Sequence, residues 1–271
     1  MTRKAGLREL LVLMTAMITS GMLLSARAEE AIKHYILINL KPGADQLALD
    51  RWYMTYHAPQ VRRAMKAWQR NYVSFRSYLP PQMALERYPL QFGRMTEIHF
   101  DSYESFQQTR VRNLYGELSS YTPPPGGWRG NTLYTTETAT IPVNPTRMPV
   151  TLPTPPKETP YLRWIIVFDY PDGVTPEEGD HWWAEVREPA LAKLPGLKRL
   201  AFYTSASARS PDRRVAELWF EDVAAWQTAL LSGNKMPYAA PPWGEPFEAA
   251  AMMMIGENPD VDFIHDDRVI P

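Results

Sequence analysis

The sequence predicts an α+β chain of two tandem units, each with the element order βαββαβ. Three observations carry this prediction: an internal repeat in three ordered blocks, the same succession of strand and helix patterns in each copy, and a proline-rich stretch between them. Asp50-Arg51-Trp52-Tyr53-Met54-Thr55-Tyr56-His57-Ala58-Pro59 aligns without gaps on Asp180-His181-Trp182-Trp183-Ala184-Glu185-Val186-Arg187-Glu188-Pro189, with Asp, Trp and Pro coinciding. Met95 to Phe100 then matches Val215 to Phe220, and Phe106-Gln107 matches Trp226-Gln227. The offset falls from 130 in the first block to 120 in the second, so the first copy carries about ten extra residues, placed in the Pro-rich stretch Leu79 to Leu90. Tyr121 to Pro125 against Tyr238 to Pro242 closes each copy.

Each element follows from its pattern. The apolar, β-branched runs His34 to Leu40 and Leu162 to Tyr170 read as first strands, each followed by a Pro/Gly turn. Leu49, Trp52, Tyr53 and Tyr56 have helical spacing and share one face, which should pack on a sheet. Second strands are read at Tyr72 to Tyr78 and Leu200 to Thr204, and third strands at Thr96 to Phe100 and Ala216 to Phe220. Second helices follow at Tyr103 to Leu118 and Val223 to Leu231, and last strands at Thr132 to Ile141 and Ala249 to Ile255. This order is the ferredoxin-like unit, twice. Pro142 to Pro160, with seven prolines in nineteen residues, reads as a stiff extended linker. The divisions are therefore 1–28, a leader; 29–141, the first unit; 142–160, the linker; 161–257, the second unit; and 258–271, a tail.

The leader reading rests on Arg3, Lys4 and Arg8 ahead of an uncharged stretch from Leu10 to Leu24, then the small-x-small site Ala26-Arg27-Ala28. That apolar stretch is shorter than the roughly 20 residues a membrane-crossing helix needs, which favours a cleaved secretory signal and a periplasmic protein over an anchor. Its removal takes away four positive charges and one negative, changing the formal net charge from −1 to −4. No nucleic-acid partner is implied by such a balance, and no membrane contact after cleavage. The absence of cysteine excludes disulfides, thiolate chemistry, iron–sulfur clusters and cysteine zinc sites.

Trp52 to Pro59, following Lys41-Pro42-Gly43, resembles the EthD family of the dimeric α/β-barrel superfamily, and Trp182 to Pro189 with Leu194-Pro195-Gly196-Leu197 supports the resemblance. The resemblance implies two ferredoxin-like units packed sheet to sheet, here within one chain as an intrachain barrel. It also implies a ligand pocket between sheet and helices or inside the barrel, and relatives that act without a cofactor on aromatic or polyketide-like molecules as decarboxylases, dehydratases, cyclases and monooxygenases.

Candidate chemistry centres on histidine. His57 occupies the histidine position of the family-like motif, with Arg187 as its counterpart; an imidazole titrating near neutrality suits proton transfer at an activated C–H or phenol. Its structural alternative is to bond a carbonyl freed by Pro59. Strand alternation puts Ile98 and Phe100 towards the helices and turns Glu97 and His99, with Glu217 and Trp219, to the opposite face, where carboxylate and imidazole can act as an acid/base pair. The alternative for Glu97, recurring as Glu217, is to pair with a buried arginine. We therefore expect His57, His99 and Glu97 to be catalytic, and His34, Tyr72, Tyr56, Trp219 and Arg187 to contact substrate. The nine tryptophans and fourteen tyrosines suit a planar ligand, though Trp52, Trp182 and Trp183 have core spacing.

No cofactor is expected, and no metal. The five histidines show no HExxH-like spacing, although His34, His57 and His99 could meet in space, and no C-x-x-C-H haem attachment, G-x-S-x-G or phosphate-cradling glycine loop occurs. The expected function is a cofactor-independent lyase or isomerase on a small aromatic molecule. The alternative is a non-catalytic binding protein for such a molecule, and a homodimer is possible for either.

Overall fold

The computed structural model describes residues 30–65, 67–112, 121–127, 133–151, 160–232 and 240–263. The leader, the end of the second helix read to Leu118, and residues 152–159 of the proline-rich linker lie outside the described residues. Among the described residues no helix is long and apolar enough to cross a membrane.

The first half contains β1 (Ile32–Leu40), α1 (Gln46–Trp52), α2 (Ala58–Met65), β2 (Gln69–Arg76), α3 (Gln82–Leu85), β3 (Leu90–Gln91), β4 (Gly93–Phe100), α4 (Tyr103–Val111) and β5 (Tyr134–Pro142). After β6 (Arg147–Val150) the second half contains β7 (Leu162–Asp169), α5 (Pro176–Trp182), α6 (Glu188–Leu191), β8 (Leu197–Thr204), β9 (Arg214–Phe220), α7 (Val223–Leu231) and β10 (Ala249–Gly256), followed by β11 (Val261–Asp262). Four of the helices, α1, α4, α5 and α7, start where short polar side chains cap free N–H groups. Asp45 accepts from the Leu47 N–H, Ser102 from Ser105 and Asp222 from Ala225, while Thr175 and Glu178 form a reciprocal capping box.

The fold is mixed α+β with two sheets, in the orders β11-β2-β4-β1-β5 and β3-β10-β7-β9-β8-β6. The four principal strands of each half stand in the same relative order, with the first and third adjacent at the centre. Alternation assigns the faces. Ile32, Ile38, Ile98 and Phe100 pack with Trp52, Tyr53 and Phe106 on the helix side of the first sheet, and Trp164, Phe168, Leu218 and Phe220 pack with Trp183 and Trp226 on the second. The opposite faces meet, joining Leu37, Phe75 and Met95 to Ile165, Val167, Val215 and Met253 in a third cluster between the sheets.

A π-type turn follows α1 at Tyr53–His57 and recurs after α5 at Trp183–Arg187. In each, an i→i+5 bond closes the turn, from the Ala58 N–H to the Tyr53 carbonyl and from the Glu188 N–H to the Trp183 carbonyl. Pro59 and Pro189 stand next in sequence and have no N–H to donate, so the helical ladder is interrupted there in any case.

Three short strands were not expected. The insert read as the Pro-rich stretch Leu79 to Leu90 forms α3 and leads into β3, which pairs in parallel with β10. Its Tyr88 packs 5.4 Å from Trp164, in the core of the second half. β11, in the stretch read as a tail, pairs with β2 and adds Val261 and Phe263 to the core of the first half. Four residues of the linker form β6 against β8, where Pro149 is tolerated because the strand lies at the sheet edge.

Gly93 opens β4 opposite Asn39 of β1, and a Cβ there would overlap the Ile38 carbonyl oxygen. Backbone cannot yield as a flexible side chain can, so Gly93→Ala is expected to destabilise the protein by about 2–3 kcal/mol, read as a lowered urea midpoint with an unchanged m-value. A midpoint equal to wild type would show that the two strands can separate at this point.

Candidate functional site

The face between the sheets holds the most concentrated chemistry. Lys33 and Tyr35 project there from β1, Glu97 and His99 from β4, Arg163 from β7, Tyr203 from β8, and Glu217 and Trp219 from β9, as alternation dictates. The Arg163 Nη2 reaches both carboxylates, at 3.3 Å to Glu97 Oε2 and 3.3 Å to Glu217 Oε1. Lys33 Nζ lies 3.6 Å from Glu217 Oε1 and donates to the Tyr203 hydroxyl at 3.1 Å. Tyr35 donates to Glu217, and the Trp219 Nε1–H reaches its second oxygen at 3.3 Å. His99 Nε2 stands 2.7 Å from Glu97 Oε1. The two cations also lie over aromatic faces: Arg163 over Phe75 at 5.0 Å and Trp219 at 5.2 Å, Lys33 over Tyr203 at 4.4 Å.

Two cations and two carboxylates thus compensate one another in a largely dry interior. Burial alone would raise the Glu97 carboxyl, but the His99 hydrogen bond and the charges of Arg163 and Lys33 outweigh it and hold it at about 2. Burial would likewise raise Glu217, yet Lys33, Arg163 and the Tyr35 hydrogen bond keep it far below the usual carboxylate range. Burial would lower Lys33, but Glu217 and Glu97 raise it above its ordinary value. For Tyr35, burial and the Glu217 charge act together and keep the phenol protonated. The alternative weighed for Glu97, pairing with a buried arginine, is therefore realised beside its contact to His99. His99 is partly open to solvent, with 27% of its side chain exposed. At that end Tyr161 and Arg199 flank Trp219, at 6.3 and 5.1 Å.

The expected grouping of His57 with His99 is not formed. His57 lies on the helix side of the first sheet, stacked on Trp52 at 4.6 Å and 5.2 Å from Tyr53. Burial lowers its imidazole to about 4. The cause of the separation is the pleat itself, because a side chain on the π-type turn meets only the helix-facing residues of β4. His34 is on that side too, buried against Phe106 at 4.8 Å with Nδ1 2.9 Å from Thr140 Oγ1, and burial together with Arg110 lowers it to about 3. Tyr72 is buried there, 2.6 Å from the Tyr53 hydroxyl, which also bonds Thr96. Tyr56 points to solvent, at 45% exposure, because the wide turn rotates it off the apolar face that regular helical spacing would give. Arg187 is buried in the second half among aromatic rings, 4.9 Å from Trp183 and 4.7 Å from Phe247. Of the eight predicted site residues, the structure brings together Glu97, His99 and Trp219. The meeting of His34, His57 and His99 does not occur, and no cluster of three or more metal-ligating side chains exists among the described residues.

Lys33, Tyr35, Arg163 and Tyr203 were missed. Lys33 and Arg163 stand at the repeat offset of 130, a signal that was present in the sequence. A second recurring pair was also missed. Asp50 bonds Arg94 at 2.7 Å and Asp180 bonds Arg214 at 2.8 Å, each tying the first helix of its half to the third strand. Arg94 also reaches Asp260 at 2.5 Å, and Tyr170 donates to Asp180 at 3.0 Å.

No known protein family and no curated protein matches the sequence. Solved structures do. An anthrone oxidase-like protein is 8% identical and superposes with a TM-score of 0.55 over 88% of this chain and 94% of that one. A mutant chlorite dismutase from Candidatus Nitrospira defluvii is 8% identical over 83% of this chain and 90% of its own, at a TM-score of 0.40. An EthD-like protein from Ralstonia eutropha JMP134 is 16% identical over 41% of this chain and 91% of its own, at 0.28. At such identities the likeness is one of fold, and the chain shares its overall fold with the anthrone oxidase-like protein along most of both lengths.

Proposed function

We propose that this chain is an exported, tandem two-unit relative of the EthD-like dimeric α/β barrels, acting without a cofactor as a lyase or isomerase on an aromatic or polyketide-like small molecule. The observation that carries the reading is the His99–Glu97 pair, 2.7 Å apart, with the imidazole partly open to solvent at the edge of a buried charged network. A carboxylate fixed in its ionised form holds one nitrogen of the imidazole and orients the ring, and an oriented imidazole is suited to take a proton from carbon or a phenol. Trp219, with Arg163 and Arg199 over its ring and Tyr161 beside it, adds an aromatic and cationic wall for an aromatic substrate. The equal strand order of the two halves supports the tandem reading, and the sheet-to-sheet core supports a barrel closed within one chain.

Anthrone, an aromatic ketone with an acidic CH2, is the first compound to try. Deuterium exchange at that carbon, followed by proton NMR at pH 7, is expected to run faster with enzyme than in buffer. His99→Gln should slow the catalysed exchange by about 10²-fold or more, and Glu97→Gln should lower it less while moving its pH profile. If His99→Gln exchanges at the wild-type rate, the proton-transfer assignment is wrong. The completeness of the Lys33, Arg163, Glu97 and Glu217 pairing favours a second reading, in which the network is scaffold and the protein binds its aromatic ligand without turnover. Saturable binding of anthrone with no enzyme-dependent exchange is the outcome of that reading.

A further inference from the structure

A cavity of about 250 Å³ lies at the seam between the halves, away from the His99–Glu97 pair and sharing no residue with it. Its walls are polar. Arg110 comes from α4, His34 from β1 and Thr140 from the edge strand β5; Arg209, Arg213 and three serines come from the 205–213 segment between β8 and β9. That segment is stitched to the edge strand, where the Ala206 N–H donates to the Thr140 carbonyl at 2.8 Å, so both halves build the walls.

The charge here is not balanced as it is between the sheets. Arg213 holds Asp169 through two bonds, at 3.1 and 2.5 Å, and Glu137 at 3.1 Å. Arg110 lies over the Phe106 ring at 5.2 Å, and among the described residues neither it nor Arg209 is paired with a carboxylate. Counting three arginines against those two carboxylates, the cavity is left with an excess of one positive charge, presented by two guanidinium groups. His34 adds a neutral ring rather than a charge, since burial and Arg110 keep it unprotonated. Serine and threonine hydroxyls rotate to donate, and a guanidinium fork matches the spacing of two oxygens on one centre. The volume falls below the roughly 300–1,000 Å³ of pockets for drug-sized ligands, so the cavity suits a compact group and not a polycyclic ring system.

We infer that this cavity is a binding site for a small oxyanion, held by Arg110 and Arg209 and by the hydroxyls of the 205–210 turn. The shared chemistry covers a phosphate, a sulfate or the carboxylate of a small acid. This inference does not depend on the proposed catalysis, because its test reads binding and involves other residues.

Titration calorimetry on the purified chain at low ionic strength, with inorganic phosphate, sulfate and benzoate in turn, is the deciding experiment. At least one should bind saturably at one site, and combining Arg110→Gln with Arg209→Gln should weaken that binding tenfold or more. Arg51→Gln, which removes one charge from the exposed face of α1, should leave it unchanged. Binding of phosphate and sulfate alone assigns a tetrahedral oxyanion, and binding of benzoate alone assigns a carboxylate. The His34 ring resonance in wild type should shift with the same saturation curve, a readout that needs no variant. No saturable binding of any of the three, equal weakening in Arg51→Gln, or an unmoved His34 resonance overturns the site.

Discussion

Glu217→Gln is expected to cost about 3–5 kcal/mol of stability, the largest effect of any single conservative change at the inter-sheet network. The substitution keeps the shape of the side chain and removes only its charge. Lys33 and Arg163, each 8% exposed, would then share one carboxylate, Glu97, and Arg163 alone is placed to reach it at 3.3 Å. An uncompensated buried cation costs more than the lost hydrogen bonds, which is why breaking such a pair is worse than never having built it. Glu97→Gln should cost less, because Glu97 sits at the wetter end beside His99. Adding Lys33→Met to Glu217→Gln should recover part of the loss, since it removes the stranded charge. Urea unfolding at pH 7 reads all three. A Glu217→Gln loss under about 1 kcal/mol would mean that water enters between the sheets or that Lys33 sheds its proton.

Acid should unfold the protein well before its carboxylates are neutralised. The His34 ring titrates near 6.5 in an unfolded chain but at about 3 in the folded one, where burial and Arg110 oppose its charge. Its folded value is depressed, so the unfolded state binds more protons throughout that window, and stability falls as pH drops from about 6.5 towards 3. The full shift corresponds to about 5 kcal/mol, comparable to the whole stability of an ordinary domain. His57, at about 4, acts in the same direction over the upper part of the window. Glu97 joins below about pH 4.5, where unfolded glutamate begins to take up protons that the folded side chain refuses until about pH 2. The acid midpoint is accordingly expected above pH 3, with a slope already present between pH 6 and 5 that carboxylates alone cannot give. His57→Phe keeps a ring against Trp52 and removes one titrating group, so it should flatten that upper slope. Circular dichroism against pH tests both statements, and a flat stability between pH 6.5 and 4.5 would contradict them.

Much of this arrangement was written in local patterns. Period-two alternation was enough to turn Glu97, His99, Glu217 and Trp219 to one face, because register on a sheet with two buried faces leaves no freedom. What alternation could not give was the partner. Arg163 and Lys33 come from other strands, and only the stacking of the two sheets brings them to the carboxylates. The repeat did mark Asp50 with Asp180, and Arg94 precedes the second block as Arg214 does, yet nothing local says that such residues touch. Tyr56 went wrong for a nameable reason: the spacing rule assumes 3.6 residues per turn, and the chain widens at that point. The strands β3, β6 and β11 escaped notice because pieces of two to four residues carry no periodicity, and their partners lie far away in sequence.

Those exchanged edges bear on the order in which the chain can mature. The first sheet receives its last strand from residues 261 and 262, and the Phe263 N–H reaches back to the Tyr72 carbonyl. The second sheet takes an edge from residues 90 and 91, donated long before its own strands exist. The first half is therefore not finished when its own segment has been synthesised, whereas the second finds its borrowed edge already made, and an N-terminal fragment would keep an open edge ready to pair with any neighbouring chain. The four principal strands of the first half can pair before then, so the docking of β11 is the step that waits for nearly the whole polypeptide, and until it happens the β2 edge is the exposed one.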